Sequence, residues 1–162
     1  MQADILIEEG NIDNLSKKSA WDQRELQEFL GSSKIPIRVS VLDDEYPLIC
    51  SVWFEYVDGK LIIVSHEESK LAKTLLRQRK CGFEIATNDP PYRGVRGKAD
   101  VVGELGASED ILRRVIQRYL GGTNQKLASW LLSRVEREVK FTLHPTWVTS
   151  WDYGERMEQT RT

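Results

Sequence analysis

Apolar and polar residues alternate with a period of two along much of the chain. In residues 35–41, Ile35, Ile37, Val39 and Val41 share one face. Because successive side chains of a strand point to opposite faces, this pattern predicts a strand with one buried face. Similar alternation, or a short apolar run, recurs along the chain. It predicts six strands in all, at residues 35–41, 48–56, 61–64, 81–87, 95–101 and 139–151.

Two turn signals join the first three predicted strands. The acidic cluster Asp43-Asp44-Glu45 separates the first strand from the second, and Asp58-Gly59 separates the second from the third. Asp-Gly between apolar runs is a strong hairpin signal, since both residues accept a positive φ. Strands joined by such short turns pair antiparallel. The sequence therefore predicts an antiparallel sheet.

Helical periodicity appears between the strands. Ser65-His66-Glu67-Glu68 has the spacing of a capping box and predicts a helix that begins at Ser65. The other predicted helices cover residues 21–30, ended by Gly31, residues from Ser108 to Leu120, ended by Gly121-Gly122, and a segment centred on residues 127–135.

The fifth predicted strand has small inward residues, Gly97 and Ala99. They suit the tight interior of a barrel or a close approach of two backbones. Antiparallel strands with inserted helices predict a mainly β fold, a small barrel with helical additions. We divide the chain into a flexible N-terminal arm (1–20), the barrel domain (21–151) and a C-terminal tail (152–162).

Composition narrows the class of protein. The 162 residues fit a single domain, and two cysteines, Cys50 and Cys81, are too few for a disulfide scaffold. The sequence shows neither a signal-peptide pattern nor an apolar run that matches the thickness of a bilayer. We expect a soluble cytoplasmic protein without a membrane partner.

The net charge of -2 conceals two opposite regions. Residues 1–69 contain 14 acidic and 6 basic residues, whereas residues 70–140 contain 8 acidic and 15 basic residues. Most charged residues lie on solvated helix faces, and this is our interpretation of Arg113, Arg114 and Arg118. Nucleic-acid binding by the basic region is a weaker hypothesis, and we expect no nucleic acid as partner.

Common catalytic motifs are missing from the sequence. It contains no phosphate-binding glycine loop, no G-x-S-x-G, no H-E-x-x-H and no C-x-x-C. His66 and His144 are the only histidines, and we expect a solvent-exposed and a structural side chain, respectively. We therefore predict no metal site and assign no catalytic residue.

The segment from Ser65 to Arg77 has the character of an anion site. It combines a strand end, a serine hydroxyl, a helix N-terminus and the lysines Lys70 and Lys73. The helix dipole and the formal charges add at such a position. Lysines on a surface helix are common, so this signal alone has low specificity.

The order of these elements resembles the pyridoxamine 5'-phosphate oxidase-like, FMN-binding split-barrel proteins. The likeness covers Ile35 to Glu104, with the last strand through Trp151 included. The matching strings are Arg-Val-Ser, Ser-Val-Trp-Phe, Ser-Lys-Leu-Ala-Lys and Pro-Pro-Tyr-Arg-Gly-Val, in that order. The resemblance implies a homodimer of six-stranded antiparallel split β-barrels with FMN in a groove at the subunit interface.

The resemblance also implies which residues contact the cofactor. The first two strands would line the flavin, the helix start would hold its phosphate, and the loop before the fifth strand would approach, including across the dimer. The residues are Arg38, Val39 and Ser40; Ser51, Val52 and Trp53; Ser65, Ser69, Lys70 and Lys73; and Tyr92 and Arg93.

The implied function is that of a flavin-dependent oxidoreductase acting on a small molecule. The C-terminal sequence lacks the arginine and histidine pattern with which authentic pyridoxamine phosphate oxidases contact their substrate, which argues against that substrate. FAD, a deazaflavin or heme are alternative cofactors in such proteins. A deazaflavin-dependent reductase, or a protein that binds or senses flavin or heme without turnover, is the alternative function.

Overall fold

The computed structural model describes residues 10–158, which form one antiparallel sheet with helices packed around it. The strands are β1 (Ile37–Asp43), β2 (Tyr46–Val52), β3 (Phe54–Val57), β4 (Lys60–His66), β5 (Lys80–Ala86), β6 (Arg93–Leu105) and β7 (Glu138–Asp152). The helices are α1 (Gln23–Ser32), α2 (Lys70–Gln78), α3 (Glu109–Leu120), α4 (Gln125–Ser133) and α5 (Gly154–Glu158), with a 3-10 turn at Val135–Arg137. Among these residues no helix is long and apolar enough to cross a membrane.

The sheet has seven strands in the order β2-β1-β5-β6-β7-β4-β3. The prediction of six strands is wrong at residues 48–56, which form two strands rather than one. Trp53 separates β2, which pairs with β1, from β3, which pairs with β4. The chain bends there because its two halves have different partners. The two edge strands are therefore consecutive in sequence, and within residues 10–158 no ladder closes the sheet between them.

The core lies inside this curved sheet and confirms the predicted inward faces. Val39, Phe54 and Phe141 are completely buried. The inward residues of β6 are buried as predicted, including Gly97 and Ala99. The hairpin at Asp58-Gly59 is also confirmed, since both residues have positive φ between β3 and β4. Strand alternation thus places the polar residues of β1 and β2 on the outer surface of the sheet.

Residues 10–20 pack against the sheet, in contrast to the loosely attached arm that their polarity predicts. Ile12 is buried, Leu15 forms a parallel bridge with Val148, and the Ser19 hydroxyl lies 2.7 Å from that of Ser150. One buried isoleucine, one half-buried leucine and hydrogen bonds to β7 are enough to hold this segment against the sheet. Residues 1–9 of the predicted arm and 159–162 of the predicted tail lie outside the described residues.

Arg118 differs from the solvated side chain that its helical position predicts. Its guanidinium donates to the carbonyl oxygens of Leu30, Gly31 and Ser33 at the end of α1, and it lies 5.0 Å from the ring centroid of Phe54. The last carbonyls of a helix lack partners within the helix and carry partial negative charge. Arg118 therefore caps α1 and fixes it against the sheet.

We expect Arg118→Met to lower the free energy of unfolding by about 2 kcal/mol, since it removes charge-assisted hydrogen bonds but keeps the apolar stem. Urea denaturation measures the effect. Arg113→Met is the matched control, because Arg113 pairs with exposed Glu109 on the surface of the same helix. Its loss should cost less than about 0.5 kcal/mol. Equal losses in the two variants would refute the capping role.

Candidate functional site

The start of α2 forms a compact polar corner next to the end of β4. Ser69 is the N-cap, and its hydroxyl accepts from Ala72 N at 3.0 Å. The Ser65 and Ser69 hydroxyl oxygens are 2.8 Å apart. The prediction that α2 begins at Ser65 is wrong, because β4 continues its ladder with β7 as far as His66. Strand pairing prevails over the local capping box and moves the helix start to Ser69.

Both lysines of this corner are exposed and are held by carboxylates, Lys70 by a half-buried one and Lys73 by an exposed one. Lys70 Nζ lies 2.6 Å from Asp43, and Lys73 Nζ lies 2.9 Å from Glu68. The hydrogen bond and charge of Asp43 raise the pKa of Lys70, and those of Lys73 lower the pKa of Glu68. Exposed ion pairs contribute little to stability. The lysines can therefore exchange these carboxylates for another anion at small cost.

The backbone at the same corner offers further donors. Among the described residues, no acceptor lies opposite the N–H groups of Lys70 and Leu71 in the first turn of α2. The first turn contains no acidic residue. Free amides at a helix N-terminus attract anions, and the helix dipole adds to the charge of the lysines. The corner has the chemistry of a phosphate site.

The outer face of the sheet carries the next group of predicted residues. Arg38 and Ser40 lie there, with Ser51 directly opposite Arg38 on β2. Val39 is completely buried in the core, so its side chain holds its neighbours in place and does not face this surface. A cavity of about 440 Å³ lies on this outer face beside Gly82, which has no side chain to fill the space.

A second cavity, of about 300 Å³, adjoins Ser51, Val52 and Trp53. The Trp53 ring stacks on Tyr119 at 5.2 Å between centroids, with an angle of 5° between the planes. Tyr119 donates to Ile35 O at 3.1 Å, and burial raises the pKa of its hydroxyl. Trp53 is therefore a fixed wall and not a freely rotating side chain. The other walls are Val64, Leu112, Val115, Leu127, Leu131 and Glu138.

The walls of this second cavity that α3, α4 and β7 contribute were not predicted from the sequence. Leu127 and Leu131 appear in the sequence as an ordinary apolar helix stripe, and Glu138 as one charge among many. The sequence offers no signal for them, since a short, mostly apolar helix is typical of an ordinary core element. In the structure the leucines of α4 are half-buried against α3.

The predicted residues fall into two regions of the chain. Trp53 lies beside Val64, the residue before Ser65, since Phe54 pairs with Ile63 and both Trp53 and Val64 line the second cavity, whereas Ser51 lies opposite Arg38. Tyr92 and Arg93 lie far from that corner. Arg93 begins β6 at the end of the sheet where Arg38 donates to Asn88 at 2.8 Å. Lys70 pairs with Asp43, which lies five residues, or about 17 Å, beyond Arg38 along β1.

Neither cysteine offers a reactive thiolate. Cys81 is buried, and burial raises the pKa of its thiol to about 12. Cys50 is half-buried, and burial raises its pKa as well. Both thiols are protonated at neutral pH, and a protonated thiol is a poor nucleophile. In the described part of the chain, no group of three His, Cys, Asp or Glu side chains could hold a metal ion.

Solved structures define the class of this fold, whereas no family model and no curated protein sequence matches the chain. A conserved hypothetical protein from Mycobacterium tuberculosis has a TM-score of 0.70 at 18% identity, over 89% of this chain and 92% of its own. A candidate pyridoxamine 5'-phosphate oxidase from Listeria innocua has a TM-score of 0.60 at 12% identity, over 78% and 95%. An F420 reductase has a TM-score of 0.63 at 14% identity, over 75% and 94%.

Two further structures of this class have names that state a ligand. A FAD-binding protein from Mesorhizobium loti has a TM-score of 0.59 at 14% identity, over 80% of this chain and 94% of its own. HutZ, the heme storage protein from Vibrio cholerae, has a TM-score of 0.61 at 13% identity, over 80% and 93%. The chain therefore has the pyridoxamine 5'-phosphate oxidase-like split-barrel fold, as the resemblance predicts. At these identities the likeness establishes the fold.

Proposed function

We propose that this chain is a flavin-binding oxidoreductase that holds FMN non-covalently through its phosphate. The observation that carries the proposal is the start of α2, where two free backbone amides, Ser69, Lys70 and Lys73 converge. Phosphate is a strong acceptor and prefers such charge-assisted donors. Trp53 lies beside Val64, next to Ser65 of this corner, and with its neighbours Ser51 and Val52 it would contact the flavin ring.

FMN, when bound, supplies the electron-transfer chemistry. The residues of this chain bind and orient it. Lys70 and Lys73 would neutralise the phosphate, and Ser69 would remain the N-cap that keeps the first turn of α2 open to it. Trp53 is already immobilised by Tyr119, so little side-chain entropy would be lost when a flat ring contacts it.

A homodimer would bring together predicted cofactor-binding residues that lie far apart within one chain. Tyr92 and Arg93 lie at the opposite end of β1 from Lys70, so a second copy would have to bring them to the cofactor. The outer sheet face also exposes apolar side chains, with Ile49 64% and Trp147 39% accessible. Large apolar groups on an otherwise polar face favour burial by a partner. We propose the cytoplasm as the location, since both thiols are free.

The ion pairs of residues 70–140 favour a small anion over a nucleic acid as the ligand. Many of its basic side chains pair with carboxylates and do not form a continuous positive surface. The pairs are Lys80 with Asp100, Arg113 with Glu109, Arg114 with Glu55, Arg134 with Glu138, Arg137 with Glu67, and Lys140 with Glu104.

Storage of heme without turnover is the second candidate, because HutZ shares the fold. His66 is the histidine nearest the corner, and its Nδ1 accepts from Glu68 N at 3.2 Å. The free amides and lysines of the corner match a phosphate, which FMN has and heme lacks, and this favours flavin over heme.

Titration of the full chain with FMN and with riboflavin tests the proposal. We expect FMN to bind at least about 100-fold more tightly than riboflavin, because the phosphate alone reaches the lysines and free amides of α2. Anaerobic addition of NAD(P)H or a reduced deazaflavin donor should then bleach the bound flavin. Equal affinities would refute the phosphate site, and binding without reduction by any donor would favour storage over oxidoreduction.

A further inference from the structure

The walls that β4, α3, α4 and β7 contribute to the second cavity have no function in the proposed flavin site. It lies between the outer surface of β2 and β4 and the helices α3 and α4, and has a volume of about 300 Å³. That is the space of about ten water molecules and the lower end of the range for small-molecule pockets. The walls are mostly apolar, with Ser51 and Glu138 as the polar members. This composition is typical of a ligand pocket.

Helix α4 covers this cavity incompletely. Leu127 and Leu131, one turn apart, face it, and no residue of α4 is buried. Exposed leucine surface costs free energy that burial would recover. A ligand in the cavity would cover both leucines without a change in the fold.

Glu138 gives the cavity its chemical preference. Its side chain is 7% accessible, and Oε1 accepts from Arg134 Nε at 2.9 Å. Among the described residues, no other donor reaches this carboxylate. Arg134 is held in turn over the Trp130 ring at 4.6 Å. A carboxylate that lines the cavity and has spare acceptor capacity favours a donor from the ligand.

The charge of the cavity is balanced. Arg134 neutralises Glu138, and among residues 10–158 no other ionisable side chain lines the walls. An ionic ligand would lose its hydration without finding an opposite charge, which is costly in an apolar site. The pocket therefore selects a neutral molecule.

We infer that this cavity binds a neutral, mostly apolar molecule of one or two rings that donates one N–H or O–H hydrogen bond to Glu138. If the proposed function holds, this molecule is the reactant that exchanges electrons with the flavin, since Ser51 and Trp53 border both sites. Its binding as such does not require the flavin.

The test compares 2-naphthol with 2-methoxynaphthalene, which has the same rings but no donor, by calorimetry on the full chain with and without saturating FMN. We expect 2-naphthol to bind about tenfold more tightly than its ether. Glu138→Gln should reduce that preference, and Leu131→Trp should abolish binding by filling the cavity. Ser129→Trp, on the exposed side of α4, should bind as the wild type does.

Three results would overturn the inference: equal affinity for the two compounds, undiminished binding by Leu131→Trp, or competition between 2-naphthol and FMN. Competition would mean that the cavity is the flavin ring site itself. If FMN binds and 2-naphthol does not, this inference fails and the proposed function stands. If 2-naphthol binds as described and FMN does not, the pocket stands and the proposed function fails.

Discussion

Replacing Gly97 with alanine is expected to lower the free energy of unfolding by about 3 kcal/mol, the upper part of the range for an overpacked core. A Cβ at this position would overlap the carbonyl oxygen of Trp147 and would lie 2.7 Å from the ring of Phe83. The first contact is with backbone in the β6–β7 ladder, so a rotamer change cannot relieve it. The two central strands would have to separate.

Gly82→Ala is the matched control for this substitution. Gly82 lies on the neighbouring strand β5 but faces outward, and a Cβ there would meet its nearest atom at 3.8 Å. We expect a change of less than about 1 kcal/mol, comparable to the span of strand propensities. Urea denaturation of both variants measures the two free energies of unfolding. Similar stabilities for the two would mean that β6 and β7 are not packed as closely as the structure shows.

The double substitution Lys70→Ala with Lys73→Ala is expected to weaken FMN binding about 100-fold. Each lysine would contribute a charge-assisted hydrogen bond to the phosphate of about 1.5 kcal/mol, and the sum of about 3 kcal/mol corresponds to that factor. Riboflavin has no phosphate, so its affinity should be unchanged. Fluorescence titration with the two flavins measures both values.

Lys17→Ala with Lys18→Ala provides the control for net charge. Both lysines are exposed and lie far from α2 in sequence, and their removal changes the charge of the chain by the same amount. FMN should bind this variant as it binds the wild type. An equal loss of affinity in both double variants would assign the effect to overall charge. No loss in either would place the phosphate elsewhere on the chain.

The sequence predicts the strands well where one physical cause determines them. Residues 37–43 and 80–86 alternate because one face is buried, and the two positive φ values at Asp58-Gly59 form the hairpin as expected. The bend at Trp53 is different. It arises because β2 and β3 pair with strands that are distant in sequence, and no local pattern records that choice.

The candidate site, like the strands, could be predicted from the sequence only in part. Ser69, Lys70 and Lys73 lie at a helix N-terminus as predicted, although the helix begins later, because pairing of β4 with β7 includes Ser65. The cavity beside Trp53 could not be foreseen. Its walls include Ser51 and Leu131, which are brought together only by the packing of α3 and α4 on the sheet.

Native mass spectrometry of the purified full chain after addition of FMN tests the central claim most directly, because one spectrum reports the oligomeric state and the mass of the ligand. The account predicts a dimer that carries two FMN molecules, reduced largely to the ligand-free form by Lys70→Ala with Lys73→Ala. A chain that retains no flavin at saturating FMN, or that carries a heme mass instead, would contradict it.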